Sequence, residues 1–210
     1  MSRSLTDDLK RYVERLNCDL LGIGRVNGSA VVVCGLRISD SVIDDAPSDE
    51  YYSLVITSSR MLDEIADRIE KFIVKRGYSA RAMPASLEEG FSHRVAAASA
   101  GLGFIGRSGL LITEFGPRVR LASVLTDAPL LTDAPLICES SERSIHRDCL
   151  ECGLCIESCP AGAISEKGFD RAACEFYNNV VLAEGKRYGA CGICVKVCPC
   201  RREKPKSSQF

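Results

Sequence analysis

Cys149-Leu-Glu-Cys152-Gly-Leu-Cys155-Ile-Glu-Ser-Cys159-Pro160 is followed, after a lone Cys174, by Cys191-Gly-Ile-Cys194-Val-Lys-Val-Cys198-Pro199. The first block fits the spacing C-x2-C-x2-C-x3-C-P that holds a [4Fe–4S] cluster, with no mismatch. The second block is the same run with its first cysteine moved back to Cys174. Each iron of a cubane needs a thiolate. Cysteines separated by two residues let one loop serve three corners, with its backbone N–H groups turned toward the sulfurs. A fourth ligand from the same tight loop would be strained. In two-cluster proteins the cysteine before the proline therefore crosses to the other cluster. Applied here, Cys149, Cys152, Cys155 and Cys198 hold one cluster. Cys174, Cys191, Cys194 and Cys159 hold the other. The expectation is two interlocked [4Fe–4S] clusters, close enough to exchange electrons.

Disulfides and zinc are the competing readings. A disulfide framework belongs to small secreted chains, and no signal peptide is visible. Zinc takes four ligands and leaves a pseudo-repeat of eight cysteines, each half ending Cys-Pro, without a reason.

Composition narrows the rest. The 210 residues suffice for one substantial domain and a smaller appendage. They are 46% hydrophobic, so a core can be buried, and the net charge of −1 argues against a chain built to grip nucleic acid. No run of about 18 apolar residues is present, so no membrane span is expected. Twelve cysteines point to a reducing cytoplasm, and exposed clusters to an anaerobe or a protected niche. Cys18 and Cys34 lie in apolar stretches and read as small core residues. Cys138 and Cys200 have no assigned role.

Ser4-Leu-Thr-Asp7 opens a helix with a capping pair, and Leu5, Leu9, Val13 and Leu16 recur at helical spacing. The stretches 20–26 and 30–36 read as strands. Residues 39–52 read as an acidic, turn-rich loop. Met61, Leu62, Ile65, Ile69 and Ile73 mark a second helix ending at Gly77. A strand over 79–83, a loop over 84–91 and an Ala-rich helix over 92–100 follow. Residues 109–113 and 119–125 read as two strands of a hairpin turned by Glu114-Phe-Gly116-Pro117. Thr126-Asp-Ala-Pro-Leu, echoed at Thr132, reads as an extended linker. The expected division is an α+β domain over 1–137 for cofactor or substrate, a double-cluster domain over 138–200, and a basic flexible tail over 201–210. Metal binding would supply much of the second domain's folding energy.

Gly101-Leu-Gly103-Phe-Ile-Gly106 matches G-x-G-x-x-G. A dinucleotide site needs a strand before this motif and a helix after it, whereas here a helix precedes and a strand follows. The plain reading is a helix cap and a tight turn. The functional reading is backbone approaching a large ligand closely, with Arg107, Arg118 and Arg120 able to meet phosphate or carboxylate groups or to remain surface charges. His93 and Glu89 are the candidate proton donors, each with a structural or solvated role as the alternative. His146 is expected to pack near a cluster edge.

The segment from His93 through Gly101-Leu-Gly-Phe-Ile-Gly-Arg107 to Asp127 carries a further signal when joined to the cysteine motifs and to Tyr188-Gly-Ala-Cys191. It resembles the epoxyqueuosine reductase and reductive dehalogenase superfamily. The resemblance covers 93–200 well and the N-terminal part loosely. It implies a nitroreductase-like α+β domain holding a corrinoid (cobalamin), followed by a ferredoxin-like domain whose two clusters relay electrons to cobalt. Gly101, Gly103, Gly106 and Arg107 would line the cofactor. The implied reaction is reduction of an epoxide on a queuosine precursor in tRNA, or loss of halide from an organohalide. Epoxyqueuosine reductases carry Asp-x-x-Pro-x-x-Glu-Arg before the Ala-rich helix, with the aspartate as proton donor. Here Leu87-Glu-Glu-Gly-Phe-Ser-His93-Arg94 has no aspartate in register. Neither a helical-repeat tail nor a twin-arginine leader is seen, and the expectation is a short relative.

Two functions follow. One is a small redox enzyme, with a corrinoid as the organic cofactor and flavin as the weaker candidate. It would draw on a low-potential donor such as ferredoxin or flavodoxin. The other is a non-catalytic electron-transfer or activation module that reduces a partner corrinoid protein. A tRNA partner is the weaker expectation.

Overall fold

The computed structural model describes residues 4–85, 90–133, 147–183 and 189–200. In chain order these form α1 (Leu5–Glu14), β1 (Leu20–Val26), β2 (Ser29–Arg37), α2 (Asp40–Asp44), α3 (Asp49–Val74), β3 (Ala80–Met83), α4 (His93–Ser99), β4 (Phe104–Ile105), β5 (Leu111–Ile112) and β6 (Val119–Thr126). Then come α5 (Arg147–Cys152), α6 (Leu154–Glu157), β7 (Ile164–Ser165), β8 (Gly168–Phe169), α7 (Arg171–Phe176), a π-helical turn (Tyr177–Val181) and α8 (Ile193–Lys196). The chain makes two compact units. The first takes 1–37, 55–102 and 120–144. The second takes 38–54, 103–119 and 145–210. The boundary expected at residue 137 falls outside the described residues. The cysteine-bearing unit draws in two segments that precede it in sequence.

The first unit is a mixed helix–sheet fold around four strands in the order β1-β2-β6-β3. The hairpin joining β1 to β2 turns on Asn27 and Gly28, at φ 50° and 83°. Positive φ at both central residues gives the turn a twist that matches the flanking strands. The pairing then runs antiparallel from Val26↔Ser29 to Leu20↔Gly35. Strand β2 is buried throughout 30–36, on both faces. Ala30, Val32, Cys34 and Leu36 join Leu9 and Val13 of α1 and Leu62, Ile65, Ile69 and Ile73 of α3 in one core. Each of these large side chains contributes about 1.5–3 kcal/mol on burial. Helix α4 packs across β1 and β2. Gly22 and Gly24 admit it: a Cβ on Gly24 would lie 2.4 Å from Ser99 Oγ and 2.6 Å from the Ala100 nitrogen.

Helix α1 starts where expected, with Ser4 Oγ accepting from the Asp7 N–H at 3.2 Å. Helix α3 is longer than its apolar spacing suggests. It begins at Asp49, where Ser48 Oγ accepts from the Tyr51 N–H at 3.1 Å. With α2, it replaces most of the loop expected over 39–52, because Ile43 and Tyr51 are buried and hold that stretch in place. Gly77, at φ 88°, follows the end of α3.

The hairpin expected between 109–113 and 119–125 does not form. Strand β5 pairs with β4, Phe104 opposite Ile112, while β6 pairs with β3 in the larger sheet. Thr113 and Gly116 close a tight turn of their own. Pro117, which lacks an N–H, ends any ladder there.

Residues 127–133 are not a free linker. Asp127 Oδ1 accepts from the Ser79 N–H at 2.8 Å, and Asp133 Oδ2 from the Ile23 N–H at 2.9 Å. Ala128 and Leu130 are buried. The two aspartates of the echoed phrase thus pin the segment to the first unit. Among the described residues, no helix is long and apolar enough to cross a membrane. The tail over 201–210 lies outside the described residues.

Candidate metal centre

The second unit repeats one small device. In each cysteine motif the residue after the second cysteine is a left-handed glycine, Gly153 at φ 66° and Gly192 at φ 74°. Each opens a short helix, α6 or α8, whose early N–H groups return to the glycine carbonyl: Glu157 to Gly153 at 3.2 Å, Lys196 to Gly192 at 3.0 Å. Left-handed backbone costs an L-residue about 1–2 kcal/mol and glycine almost nothing. The glycine lets the chain reverse tightly enough for the cysteines on either side to turn the same way. Gly192 also lacks room for a side chain, since a Cβ there would lie 2.5 Å from the Tyr51 ring.

Around these loops the thiols gather in two sets. The charges of Cys149 and Cys152 act on Cys155, and that of Cys149 on Cys198. Cys159 and Cys174 act on Cys191, and Cys191, Cys174, Cys155 and Cys159 on Cys194, where the two sets meet. The cysteine before each proline sits among the other motif's cysteines. A small cleft is lined by Cys149, Cys152, Cys155, Cys194, Cys198 and Cys200.

Five of these thiols resist ionisation as they stand. Burial, then repulsion from Cys191 and the other neighbouring thiols, pushes Cys194 up to about 12. Burial also raises Cys155, Cys174, Cys191 and Cys198. So many converging thiols become thiolates only around concentrated positive charge. Among the described residues no three ligating side chains close on the radius of a single ion. A cubane, with its irons at separate corners, asks its thiolates to stand further apart, and the donor set suits it.

N–H groups reach the sulfurs. The Arg107 backbone donates to Cys149 Sγ at 3.4 Å, and Asn178 Nδ2 donates to Cys174 Sγ at the same distance. Asn178 also donates to the Cys174 carbonyl at 2.9 Å, which braces it in the π-helical turn. Sequence reasoning missed Asn178. An amide four residues beyond a motif cysteine, on its helix face, is the signal that finds it.

The glycine loop is divided between the units. Gly101, at φ 75°, is the left-handed residue of a Schellman cap on α4: its N–H donates to Ala98 and that of Leu102 to Ala97, both at 3.0 Å. Gly103 and Gly106 belong to the second unit. A Cβ on Gly103 would lie 2.1 Å from the Ile112 oxygen, and one on Gly106 3.3 Å from Cys149 Sγ. Their bare sides face the protein itself, and the loop supports the first thiol set. Arg118, 1% exposed, pairs with Asp40 at 2.9 Å and donates to the Lys196 carbonyl at 3.4 Å. Arg120 donates to Ser59 Oγ at 3.0 Å.

His93 lies in the first unit and is buried. Its Nε2 donates to the Pro84 carbonyl at 2.7 Å, and its Nδ1 meets Ser123 Oγ at 2.9 Å. A carbonyl only accepts, so Nε2 carries a proton. Glu89, His146 and Cys138 lie outside the described residues.

Comparison with known proteins agrees with this chemistry. A family model described as a 4Fe–4S binding domain matches residues 145–165. A tetrachloroethene reductive dehalogenase of Desulfitobacterium hafniense is 35% identical over 180 residues, 78% of this chain and 30% of that protein. An epoxyqueuosine reductase of Aliivibrio fischeri is 30% identical over 172 residues, 76% of this chain and 42% of that protein. The chain therefore spans less than half the length of these relatives. The solved structure of a catabolic reductive dehalogenase, NpRdhA, in complex with 3-bromo-4-hydroxybenzoic acid, superposes over 93% of this chain and 31% of its own. The TM-score is 0.77 and the identity 25%. An epoxyqueuosine reductase bound to a tRNA stem loop shares the fold at TM-score 0.65 and 19% identity, over 94% of this chain and 65% of its own.

Proposed function

We propose that this chain, a homologue of the reductive dehalogenases and the epoxyqueuosine reductases, is an iron–sulfur reductase whose second unit holds two [4Fe–4S] clusters. The observation that carries this reading is the exchange of Cys159 and Cys198 between thiol sets, the pattern a crossed two-cluster site needs. Cys149, Cys152, Cys155 and Cys198 would hold one cluster, and Cys159, Cys174, Cys191 and Cys194 the other. When bound, the clusters supply reversible one-electron storage at low potential.

The chain's own residues do the supporting work. The left-handed glycines turn the loops. The Arg107 and Asn178 N–H groups withdraw charge from two ligand sulfurs. The finer fold assignment belongs to the same proposal: a nitroreductase-like first unit and a ferredoxin-like second. The electron source would be a small low-potential carrier, ferredoxin or flavodoxin, in a reducing cytoplasm.

A corrinoid as electron acceptor rests on kinship. The structure of one related reductive dehalogenase suggests a mechanism for B12-dependent dehalogenation in that protein. Gly103 and Gly106, expected to line it, have their bare sides taken by Ile112 and Cys149, so neither residue is assigned to it. The second reading, a module that reduces a partner corrinoid protein, is favoured by His93, whose two ring nitrogens are already engaged.

Anaerobic purification, cluster reconstitution and iron and sulfide analysis test the core of the proposal. The expected content is about eight irons per chain, four per cluster, with an EPR spectrum of two interacting centres after reduction. A content near four would overturn it. Added cobalamin then separates the two readings. A stoichiometrically retained, spectrally altered cobalt supports the enzyme, and no retention supports the module.

A further inference from the structure

Four cysteines stand outside the two expected ligand sets. Cys34 is buried in the core, Cys18 bonds the Leu20 carbonyl at 2.8 Å, and Cys138 lies outside the described residues. Cys200 is different. It lines the same cleft as Cys149, Cys152, Cys155 and Cys198. It stands two residues from Cys198, across Pro199, and is among the neighbours that act on the Cys198 thiol. Three corners of the first site come from one loop over 149–155. The fourth must come from the end of the second motif, and that end offers two thiols, one on each side of Pro199.

We propose that Cys200 is an alternative ligand of the first cluster, able to replace Cys198 at its fourth iron. The proposal rests on the two-cluster reading above. The exchange balances within the pair. The iron–sulfur bond to Cys198 breaks and the bond to Cys200 forms. The thiol proton of Cys200 would pass to the departing Cys198. No electron changes hands and no outside acid or base is needed, because the departing thiolate takes the proton that the arriving one must lose. In either state one free thiol remains beside the cluster. The other three corners have no such reserve in the cleft wall, since Cys149, Cys152 and Cys155 are each already committed and Cys194 belongs to the other set.

The test is cluster content in four reconstituted proteins: wild type, Cys198→Ala, Cys200→Ala and the double variant. Both single variants are expected to keep the wild-type iron and sulfide, and Cys198→Ala to show a shifted EPR signal for one cluster. The double variant is expected to lose up to half its iron. Loss in Cys198→Ala equal to that in the double variant overturns the exchange while leaving two clusters in the wild type. A wild type that holds fewer than two clusters overturns the functional reading, and the exchange with it.

A measurement on loaded wild-type protein does not depend on any variant folding. After mild alkylation, mass spectrometry reads which of the two thiols was free. Label shared between Cys198 and Cys200 is expected. Label on Cys200 alone refutes the exchange.

Discussion

Asn178 acts on a single neighbour, Cys174. Its N–H points at the Cys174 sulfur, and hydrogen bonds to ligand sulfurs raise a cluster's reduction potential by stabilising the more negative, reduced state. Asn178→Leu should therefore leave the iron content intact and make the potential of one cluster more negative in an EPR-monitored titration. An unchanged potential would remove Asn178 from the site. His93 presents the opposite case. Replacing it by Ala leaves the Pro84 carbonyl and the Ser123 hydroxyl without their partner, which costs about 1–3 kcal/mol per buried group. Thermal melting should show that loss; a melt matching wild type would show that these bonds add nothing to stability. The 4Fe–4S binding motif over 149–159 was legible because its spacing is local, and a loop of two residues admits few shapes. Asn178 was not, because nothing in its neighbours announces that its amide turns back on Cys174. The commitments of His93 were hidden as well, since Ser123 lies thirty residues away.

Among the elements, the contact of α4 with β1 depends on a missing side chain. Gly24→Val would drive atoms into Ser99 and the Ala100 backbone, and backbone cannot move aside as a flexible side chain can. Overpacking of this kind costs about 1–3 kcal/mol. Urea unfolding should show a lower midpoint, with Gly28→Ala as a control for lost glycine freedom, because nothing lies within 4 Å of that position. Helix α1 was readable from its start, its cap and apolar stripe agreeing. So were β1 and β2 as strands. Strand partners were another matter. Residues 111–112 and 119–126 are neighbours in sequence, each apolar, with a turn between them. The choice of β4 and β3 as their partners is set by segments elsewhere in the chain and by Pro117, which closes the ladder. The acidic run 39–52 misled for a similar reason. Its charges suggest solvent, while Ile43 and Tyr51 decide its shape.

At the scale of the molecule, the two units should respond to different insults. The second unit is rich in short elements and converging thiols. Stripping its iron with a chelator under reducing conditions should raise amide hydrogen exchange over 147–198 and leave the core of the first unit protected. Equal loss of protection in both would show that the clusters hold the whole chain. The first unit has its own pH limit. Burial raises the Cys34 thiol well above its ordinary 9.0. A thiol held protonated in the folded state contributes stability that is fully present below pH 9.0 and is lost as pH rises toward the elevated folded value. Cys18 is shifted the same way. Alkaline denaturation is therefore expected, with Cys34→Ala flattening the decline; an unchanged pH profile in that variant would assign it to other groups. The division of the chain was only half legible: the cysteine motifs mark the second unit, but nothing in 38–54 or 103–119 declares membership in it. That membership has a consequence for biosynthesis. Those segments leave the ribosome well before Cys149 through Cys198 exist. They must wait, unpartnered, until the last cysteine motif emerges and iron and sulfide arrive. The first unit can begin to settle from its own strands while the metal-holding unit stays open, so a cell short of iron would accumulate chains finished at one end and sticky at the other.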